Sequence, residues 1–400
     1  MSIMLVIPPS KEDVLTKTDI FRGLHVIHLV FALTVALPTY IMSTFLATFA
    51  QDKTVGLLYT AGALLSFILI TIIPRILTRF GNYIVAFSLA STLAVLTLLF
   101  AFTHIPWIIF ISFIFYSAFL NVMFFTQDVF IERFSSDART GSIRGVFLTL
   151  TNIAFLISPF IAGSILTNGD YWKIFSLTTV TVTGVIFLLF TYLRNFKDPV
   201  YEQTELLETI KEVISRKDVL LIFIVNFLLR FFYAWMVIYS PLYLHNNIGL
   251  PWNEIGIIFT VMLVPFVLLA VPAGRLADKH WGEKELLFIG FLIAGASTIF
   301  ISTMAPSATL VQWIIAFAIT RIGASIIETM SESYFFKHVH SDDTHVIGLF
   351  RNTNSLAYIV GPTLASLTLF FLPFSSLFLV LGIFLIVAGT PTTLMLRDTK

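Results

Sequence analysis

Val55–Thr60 reads VGLLYT, and Ile255–Thr260 repeats it as IGIIFT at a separation of 200 residues. A second pair of segments has nearly the same separation, Leu37–Tyr40 (LPTY) and Ser240–Tyr243 (SPLY). These pairs predict that the chain consists of two similar halves. In a membrane protein, similar halves usually enclose a substrate path at their interface.

The composition indicates that lipid is the solvent for most of the surface. Of the 400 residues, 57% are hydrophobic and only 12% are charged, whereas soluble domains carry about 25% charged residues. The formal net charge of +1 gives no indication of a nucleic-acid partner, and we expect none. The absence of cysteine excludes disulfides, thiol catalysis and cysteine metal ligands.

The apolar residues form continuous runs of about 20 residues, the length that crosses roughly 30 Å of hydrocarbon as a helix. Continuous rather than alternating runs favour helices, which satisfy their own backbone hydrogen bonds in lipid. There are twelve such runs, near 24–49, 54–74, 82–103, 106–130, 145–168, 171–193, 219–244, 252–272, 285–304, 309–336, 345–371 and 373–395. We therefore predict an all-α membrane protein with twelve transmembrane helices in two pseudo-symmetric six-helix bundles.

The domain boundaries follow from the one long polar stretch between the halves. Residues 1–193 are predicted to form the N-terminal bundle and residues 219–400 the C-terminal bundle. In the linker 194–218, Leu206, Ile210 and Val213 recur at helical spacing, which predicts a short amphipathic helix at the membrane surface.

The distribution of lysine and arginine predicts the orientation, because these residues are enriched in cytoplasmic loops. Nineteen of the 24 lysines and arginines fall on the side that holds both termini and the linker, and only Lys53 and Lys173 fall in the loops opposite. We therefore expect a multi-pass protein of a prokaryotic inner or plasma membrane, with both termini in the cytoplasm.

Motifs near the cytoplasmic side resemble those of the major facilitator superfamily, whose secondary transporters have two six-helix bundles. The family motif G-x-L-a-D-[RK]-x-G-[RK] is matched after the eighth run, and its earlier copy, around Arg75 and Arg79, lacks the first glycine and the aspartate. Ser158–Gly163 (SPFIAG) resembles the family's G-P-x-x-G-G antiporter motif. The matching residues after the eighth run are Gly274, Arg275, Leu276, Ala277, Asp278, Lys279 and Gly282.

This resemblance covers nearly the whole chain and implies alternating access, a small-molecule substrate and a monomer without cofactor. It also implies that the loop aspartate contacts a helix start in the opposite half. The predicted cytoplasmic latch consists of two charge pairs, Asp278 with Arg139 or Arg144, and Arg75 or Arg79 with Asp342 or Asp343. For the second pair, helix capping by the aspartate and the enrichment of arginine in cytoplasmic loops explain these residues nearly as well.

Ionisable residues within the apolar runs are candidates for function, because a charge near the bilayer centre costs several kcal/mol unless it is paired or hydrated. The tenth run places Arg321, Glu328 and Glu332 on one helical stripe. The seventh, eleventh and fourth runs add further polar groups at similar depth. The candidates for substrate binding or coupling are Arg230, Arg321, Glu328, Asn226, Tyr233, Asn121, Tyr358 and Asn354.

Two interpretations of the deepest charges remain open. In one, Arg230 and Arg321 bind an anionic substrate group and Glu328 carries a coupling proton. In the other, Arg321 and Glu328 form a structural salt bridge, within one helix or across to Arg230, and the substrate is largely apolar.

The missing motifs narrow the class of function. No phosphate-binding loop of the type G-x-x-x-x-G-K-[ST], metal-ligand cluster or catalytic motif occurs, so we expect neither ATP hydrolysis, a metal site nor an enzyme. The predicted function is secondary active transport of an anionic or amphipathic solute, coupled to protons as symport or as antiport export. The alternative is a lipid scramblase or flippase that works without ATP, or another membrane protein of this fold without coupled transport.

Overall fold

Twelve helices are long and apolar enough to cross a membrane, which confirms the predicted all-α membrane fold. The computed structural model describes residues 11–134, 140–166, 169–198, 206–339 and 343–397, and its regular elements are all helical. The helices are α1 (Lys11–Thr39), α2 (Met42–Ala47), α3 (Asp52–Phe80), α4 (Asn82–Phe102), α5 (Pro106–Phe134), α6 (Thr140–Ile165), α7 (Tyr171–Leu193), α8 (Leu206–Ser215), α9 (Lys217–Leu242), α10 (Trp252–Leu276), α11 (Glu283–Thr303), α12 (Leu310–His338), α13 (Thr344–Phe371), α14 (Ser376–Phe384) and α15 (Thr390–Leu394).

Three of the predicted spans differ in detail from the structure. The predicted run 24–49 is divided, because α1 ends after Pro38, which lacks a backbone donor, and the chain turns at Tyr40 before α2. The last run contains a π-helical segment, Leu385–Gly389, between α14 and α15. The segment expected as a loop after the eighth run is helical, since α10 continues to Leu276 and a π-helical turn, Ala277–Trp281, follows.

The family resemblance implies that the motif glycines permit tight loop turns, and only one of the two after the eighth run makes such a turn. Gly282 has φ +85° and links the π-helical turn to α11, as Gly81 (φ +81°) links α3 to α4. These backbone angles favour glycine because a side chain would clash there. Gly274 lies inside α10, so the expectation that it permits a loop turn is wrong.

The two halves meet mainly along two helix pairs, α3 with α13 and α6 with α10, and the short helix α2 also packs against α9. We call the side that bears Lys11 and Arg397, the described chain ends, the terminal face, and the other side the opposite face. The linker helix α8, which lies within the predicted linker, packs against α9 and α13 of the second half.

These interfaces are tight near the opposite face and open toward the terminal face. A methyl group added at Gly163 of α6 would lie 2.9 Å from the Cα of Gly256 in α10, and one added at Gly56 of α3 would lie 2.8 Å from the Pro362 carbonyl oxygen in α13. Methyl groups added nearer the terminal face of the same helices, at Gly145, Gly274 and Gly348, would meet no atom within 4 Å. The halves are therefore in contact at the opposite face and apart at the terminal face.

Candidate functional site

An ion pair between two helices of the second half lies near the middle of the membrane. The Arg230 Nη1 of α9 lies 3.2 Å from the Glu328 Oε1 of α12, and the Tyr233 hydroxyl donates to Glu328 Oε2 at 3.2 Å. The side chains of Arg230 and Glu328 are 25% and 33% exposed. Charged groups at this depth face the bundle interior or a water-filled cavity, so this exposure indicates the space between the halves.

Arg321 lies seven residues before Glu328 on the same helix and is 2% exposed. Its guanidinium carbon lies 5.0 Å from the ring centre of Phe232 and 5.9 Å from that of Tyr233. The tyrosines Tyr40, Tyr233 and Tyr358 interact with it electrostatically. Its Nη1 has no hydrogen-bond partner, and its electrostatic partners among the described residues include no carboxylate. The salt bridge proposed between Arg321 and Glu328 is thus not formed, whereas the one between Arg230 and Glu328 is.

Further charged groups continue the line of α12 toward the terminal face. Glu332 is half-buried and interacts electrostatically with Arg351 of α13, Arg230 and Glu328. Arg351 itself is exposed. The second half therefore presents charges of alternating sign from Arg321, the deepest group, to the open terminal face.

The other predicted site residues occupy different environments. Asn226 is 2% exposed and donates to the Phe350 carbonyl oxygen at 3.0 Å and to Thr353 Oγ1 at 2.6 Å, which joins α9 to α13. The Asn121 amide donates to the Ser117 carbonyl oxygen of its own helix at 3.1 Å.

Two predicted site residues of α13 are half-buried at a similar depth. Tyr358 interacts electrostatically with Arg230 and Arg321, which brings it into the charged cluster. Asn354 lies one helical turn before Tyr358 on the same face of α13. Both residues remain candidates for solute contact.

Most residues of the predicted cytoplasmic latch lie outside the described part of the chain or are exposed. Arg139 and Asp342, and the side chains of Arg144 and Asp278, lie outside the described residues. Arg75, Arg79, Arg275 and Lys279 are exposed. Asp343 instead forms an ion pair with Arg216, just after the linker helix, at 3.3 Å. Because the halves are apart at the terminal face, the latch stays a prediction for the state in which that face closes.

Two sets of hydrogen bonds that hold helices of the first half were not predicted from the sequence. His28 of α1 bonds Gln127 Oε1 of α5 at 2.7 Å and Thr151 Oγ1 of α6 at 2.8 Å, which joins three helices. A histidine within an apolar run was the signal for this network. Asp198 accepts from the Asn82 backbone N–H at 2.7 Å and so caps α4. The signal for this cap was the missing aspartate in the earlier loop motif.

Two six-helix halves, joined at one face and separated at the other around a charged cluster, form the architecture of a membrane transporter. A family model described as Major Facilitator Superfamily matches residues 26–253 and 222–400. The chain belongs to this superfamily, as the motifs indicated. It is therefore a multi-pass integral membrane transporter of a small-molecule substrate, not an enzyme.

Solved structures of transporters have the same fold. The nucleoside transporter NupG has a TM-score of 0.76 and 13% identity, with 95% of this chain and 100% of that chain covered. A bacterial homologue of the human lysosomal transporter Spinster, described as inward-facing and unoccupied, has a TM-score of 0.75 and 13% identity, with 96% and 97% covered. A comparison with curated protein sequences found no match.

Proposed function

We propose that this protein is a proton-coupled secondary transporter of an anionic or amphipathic solute, with Glu328 as the proton carrier. Membership of the superfamily supports secondary transport. The observation that supports proton coupling is the ion pair of Arg230 with Glu328, which is partly exposed at the centre of the membrane. A carboxylate at this depth is rare unless it serves transport or is paired.

The pair couples a proton to an anion through charge balance. When Glu328 is ionised, Arg230 is neutralised. Protonation of Glu328 leaves the Arg230 guanidinium without its counter-charge, which is unfavourable for a charged side chain in a membrane-spanning helix. A solute anion in the same charged cluster offsets part of this cost, so proton and anion favour each other's binding, which corresponds to symport. A cationic amphipathic solute would instead compete with the proton, which corresponds to antiport export.

The orientation and boundaries proposed from the sequence complete this picture. With the terminal face in the cytoplasm, the space between the halves opens to the cytoplasm. The proposed functional unit is a monomer, with residues 1–193 and 219–400 as the two moving bundles and 194–218 as their linker. The proposed location is a prokaryotic inner or plasma membrane.

Transport by purified protein in liposomes tests the proposal across many solutes at once. Liposomes that contain the protein and a luminal pH dye receive a 13C-labelled bacterial metabolite extract under an inward proton gradient. We expect at least one solute to accumulate relative to protein-free liposomes and the luminal pH to change with it. Acidification of the lumen during uptake indicates symport. Alkalinisation of the lumen during uptake, with the proton gradient directed outward instead, indicates antiport.

Glu328→Gln distinguishes the coupling role, and Glu208→Gln on the exposed face of the linker helix is its matched control. We expect Glu328→Gln to abolish accumulation and the pH response while exchange of labelled for unlabelled solute continues, and Glu208→Gln to behave as wild type. Unchanged dependence on the proton gradient in Glu328→Gln would exclude the carrier role. Fluorescent-lipid scrambling in the same liposomes without solute uptake would support the scramblase alternative.

A further inference from the structure

Arg321 is a buried cation whose charge is not balanced within the described part of the chain. It is 2% exposed, its Nη1 lacks a hydrogen-bond partner, and its interaction partners are aromatic rings and tyrosine hydroxyls. Arg230 also contacts the Tyr233 ring, but it is partly exposed and paired with Glu328. The two arginines, which the sequence groups together, are therefore electrostatically distinct.

An isolated charge in a poorly solvated interior is unfavourable unless a counter-ion reaches it. Contacts with aromatic rings offset only part of this cost, because a cation–π interaction is weaker than an ion pair at the same depth. A guanidinium with a free donor also presents the geometry that binds a carboxylate or phosphate through two hydrogen bonds. The missing partner of Arg321 is thus an anion of this kind.

We propose that Arg321 binds the single anionic group of the transported solute, and that the solute is an organic monoanion with a ring-bearing body. This inference rests on the proposed transport function. While Glu328 is ionised it neutralises Arg230, and Arg321 is then the one cation of the cluster left for a negative group. Tyr40, Tyr233 and Tyr358 surround that cation, and their rings flank an apolar body. Tyr40 and Tyr358 can donate to the same anion, whereas the Tyr233 hydroxyl donates to Glu328.

The position of Arg321 also limits the size of the solute. Arg321 and Glu328 are separated by seven residues of α12, about 10 Å along a helix axis. On the far side of Arg321, the rings of Tyr40, in the turn after α1, and Phe259 in α10 are 4.8 Å apart and join the two halves. The distance of about 10 Å between Arg321 and the coupling pair matches the length of a body of one or two rings with its charge at Arg321.

Thermal unfolding with matched probes tests the charge and ring requirements. The probes are benzoate and 1-naphthoate as ring-bearing anions, benzamide and benzylammonium as neutral and cationic counterparts, and acetate as an anion without a ring. We expect only the two ring-bearing anions to raise the melting temperature of the wild-type protein, because a ligand that binds the folded state stabilises it. In Arg321→Gln we expect their affinity to fall at least about tenfold, the loss typical of a charged hydrogen bond.

Two further variants and the empty protein separate binding from folding. Arg321→Lys keeps the charge and should retain weakened binding, and Arg351→Gln, at the exposed terminal end of the line, should bind as wild type. Without probe, Arg321→Gln should melt at a higher temperature than wild type because it removes an unbalanced charge. Arg230→Gln should melt at a lower temperature because it leaves Glu328 unpaired.

The inference is overturned if neither ring-bearing anion stabilises the wild-type protein, if benzamide stabilises it equally, or if Arg321→Gln retains anion binding. The proposed transport function has a separate readout. Uptake of another solute from the labelled extract, with loss of coupling in Glu328→Gln, would leave proton-coupled transport standing while excluding Arg321 as the anion site.

Discussion

Replacing Gly163 by alanine is expected to shift the protein toward a conformation that is open at the opposite face. The added methyl carbon would lie 2.5 Å from the Trp252 carbonyl oxygen and 2.9 Å from the Gly256 Cα, both of them backbone atoms of α10. Backbone atoms of a packed helix cannot rotate away as a side chain can. The clash is therefore relieved only when α6 and α10 separate, which is a movement of the two halves.

The size of the shift follows from the cost of overpacking. An extra methylene in a well-packed interior typically costs about 1–3 kcal/mol. A penalty of about 2 kcal/mol, confined to the conformation in which the halves touch, changes the ratio of the two conformations by about 30-fold. Alanine has a higher helix propensity than glycine, but this gain is the same in both conformations, because residue 163 is helical whether or not the halves touch. It therefore does not change their ratio.

Cysteine labelling can measure this shift because the chain has no cysteine of its own. Thr363 of α13 is a suitable reporter, since its hydroxyl lies 2.9 Å from that of Thr60 across the α3–α13 interface. In a Thr363→Cys background, we expect Gly163→Ala to increase the rate of maleimide labelling by about 30-fold when opening is rapid relative to labelling. The matched control is Gly184→Ala, whose methyl group would lie at an ordinary 3.5 Å from Val30 within the first half.

A labelling rate for Gly163→Ala within twofold of the Gly184→Ala control would refute this reasoning. It would mean that the interface accommodates a methyl group without separation of the halves. Gly256→Ala provides a second check, because its methyl group would lie 2.6 Å from the Pro159 carbonyl oxygen in the same interface. The effects of the two changes should be less than additive, since one separation relieves both clashes.

Three predictions concern stability. Asn226→Leu should lower the free energy of unfolding by about 1–3 kcal/mol, because the buried groups of α13 lose their donor; denaturant unfolding measures this loss. Asp198→Ala removes the acceptor for the Asn82 N–H and should cost about 1 kcal/mol, visible as a lower melting temperature. Arg216→Gln should change stability by less than about 1 kcal/mol in the same melting assay, because its pair with Asp343 is partly exposed.

The number and type of the spanning helices could be predicted because hydropathy alone requires them. A run of apolar residues in lipid has to satisfy its backbone within the segment, so length and composition suffice. The division of the first run at Tyr40 could not be predicted from hydropathy, since the apolar run continues through Tyr40 into α2; only Pro38 indicated it. The helical course of the loop motif was missed because its polar residues were interpreted as a turn, whereas only Gly282 has a turn conformation.

The site could be predicted as a set of residues but not as a set of partners. Spacing along α12 places Arg321 and Glu328 on one stripe, yet it does not decide which of them meets Arg230, because that depends on the height at which α9 packs against α12. The structure decides it, since Glu328 pairs with Arg230 and Arg321 does not pair with Glu328. Asn226 was grouped with these residues by helical face, although the proximity of α13 gives it structural partners.

The difference between the halves indicates how proton and solute would act on the gate. Arg230 and Glu328 belong to α9 and α12, both in the second half, so breaking their ion pair does not by itself separate the halves. Tyr40, by contrast, belongs to the first half, contacts Phe259 of the second and interacts with Arg321. A solute anion at Arg321 would therefore act directly on a contact that closes the opposite face, whereas a proton at Glu328 would act through the solute. In this scheme the proton sets how tightly the solute is held, and the solute sets when the opposite face opens.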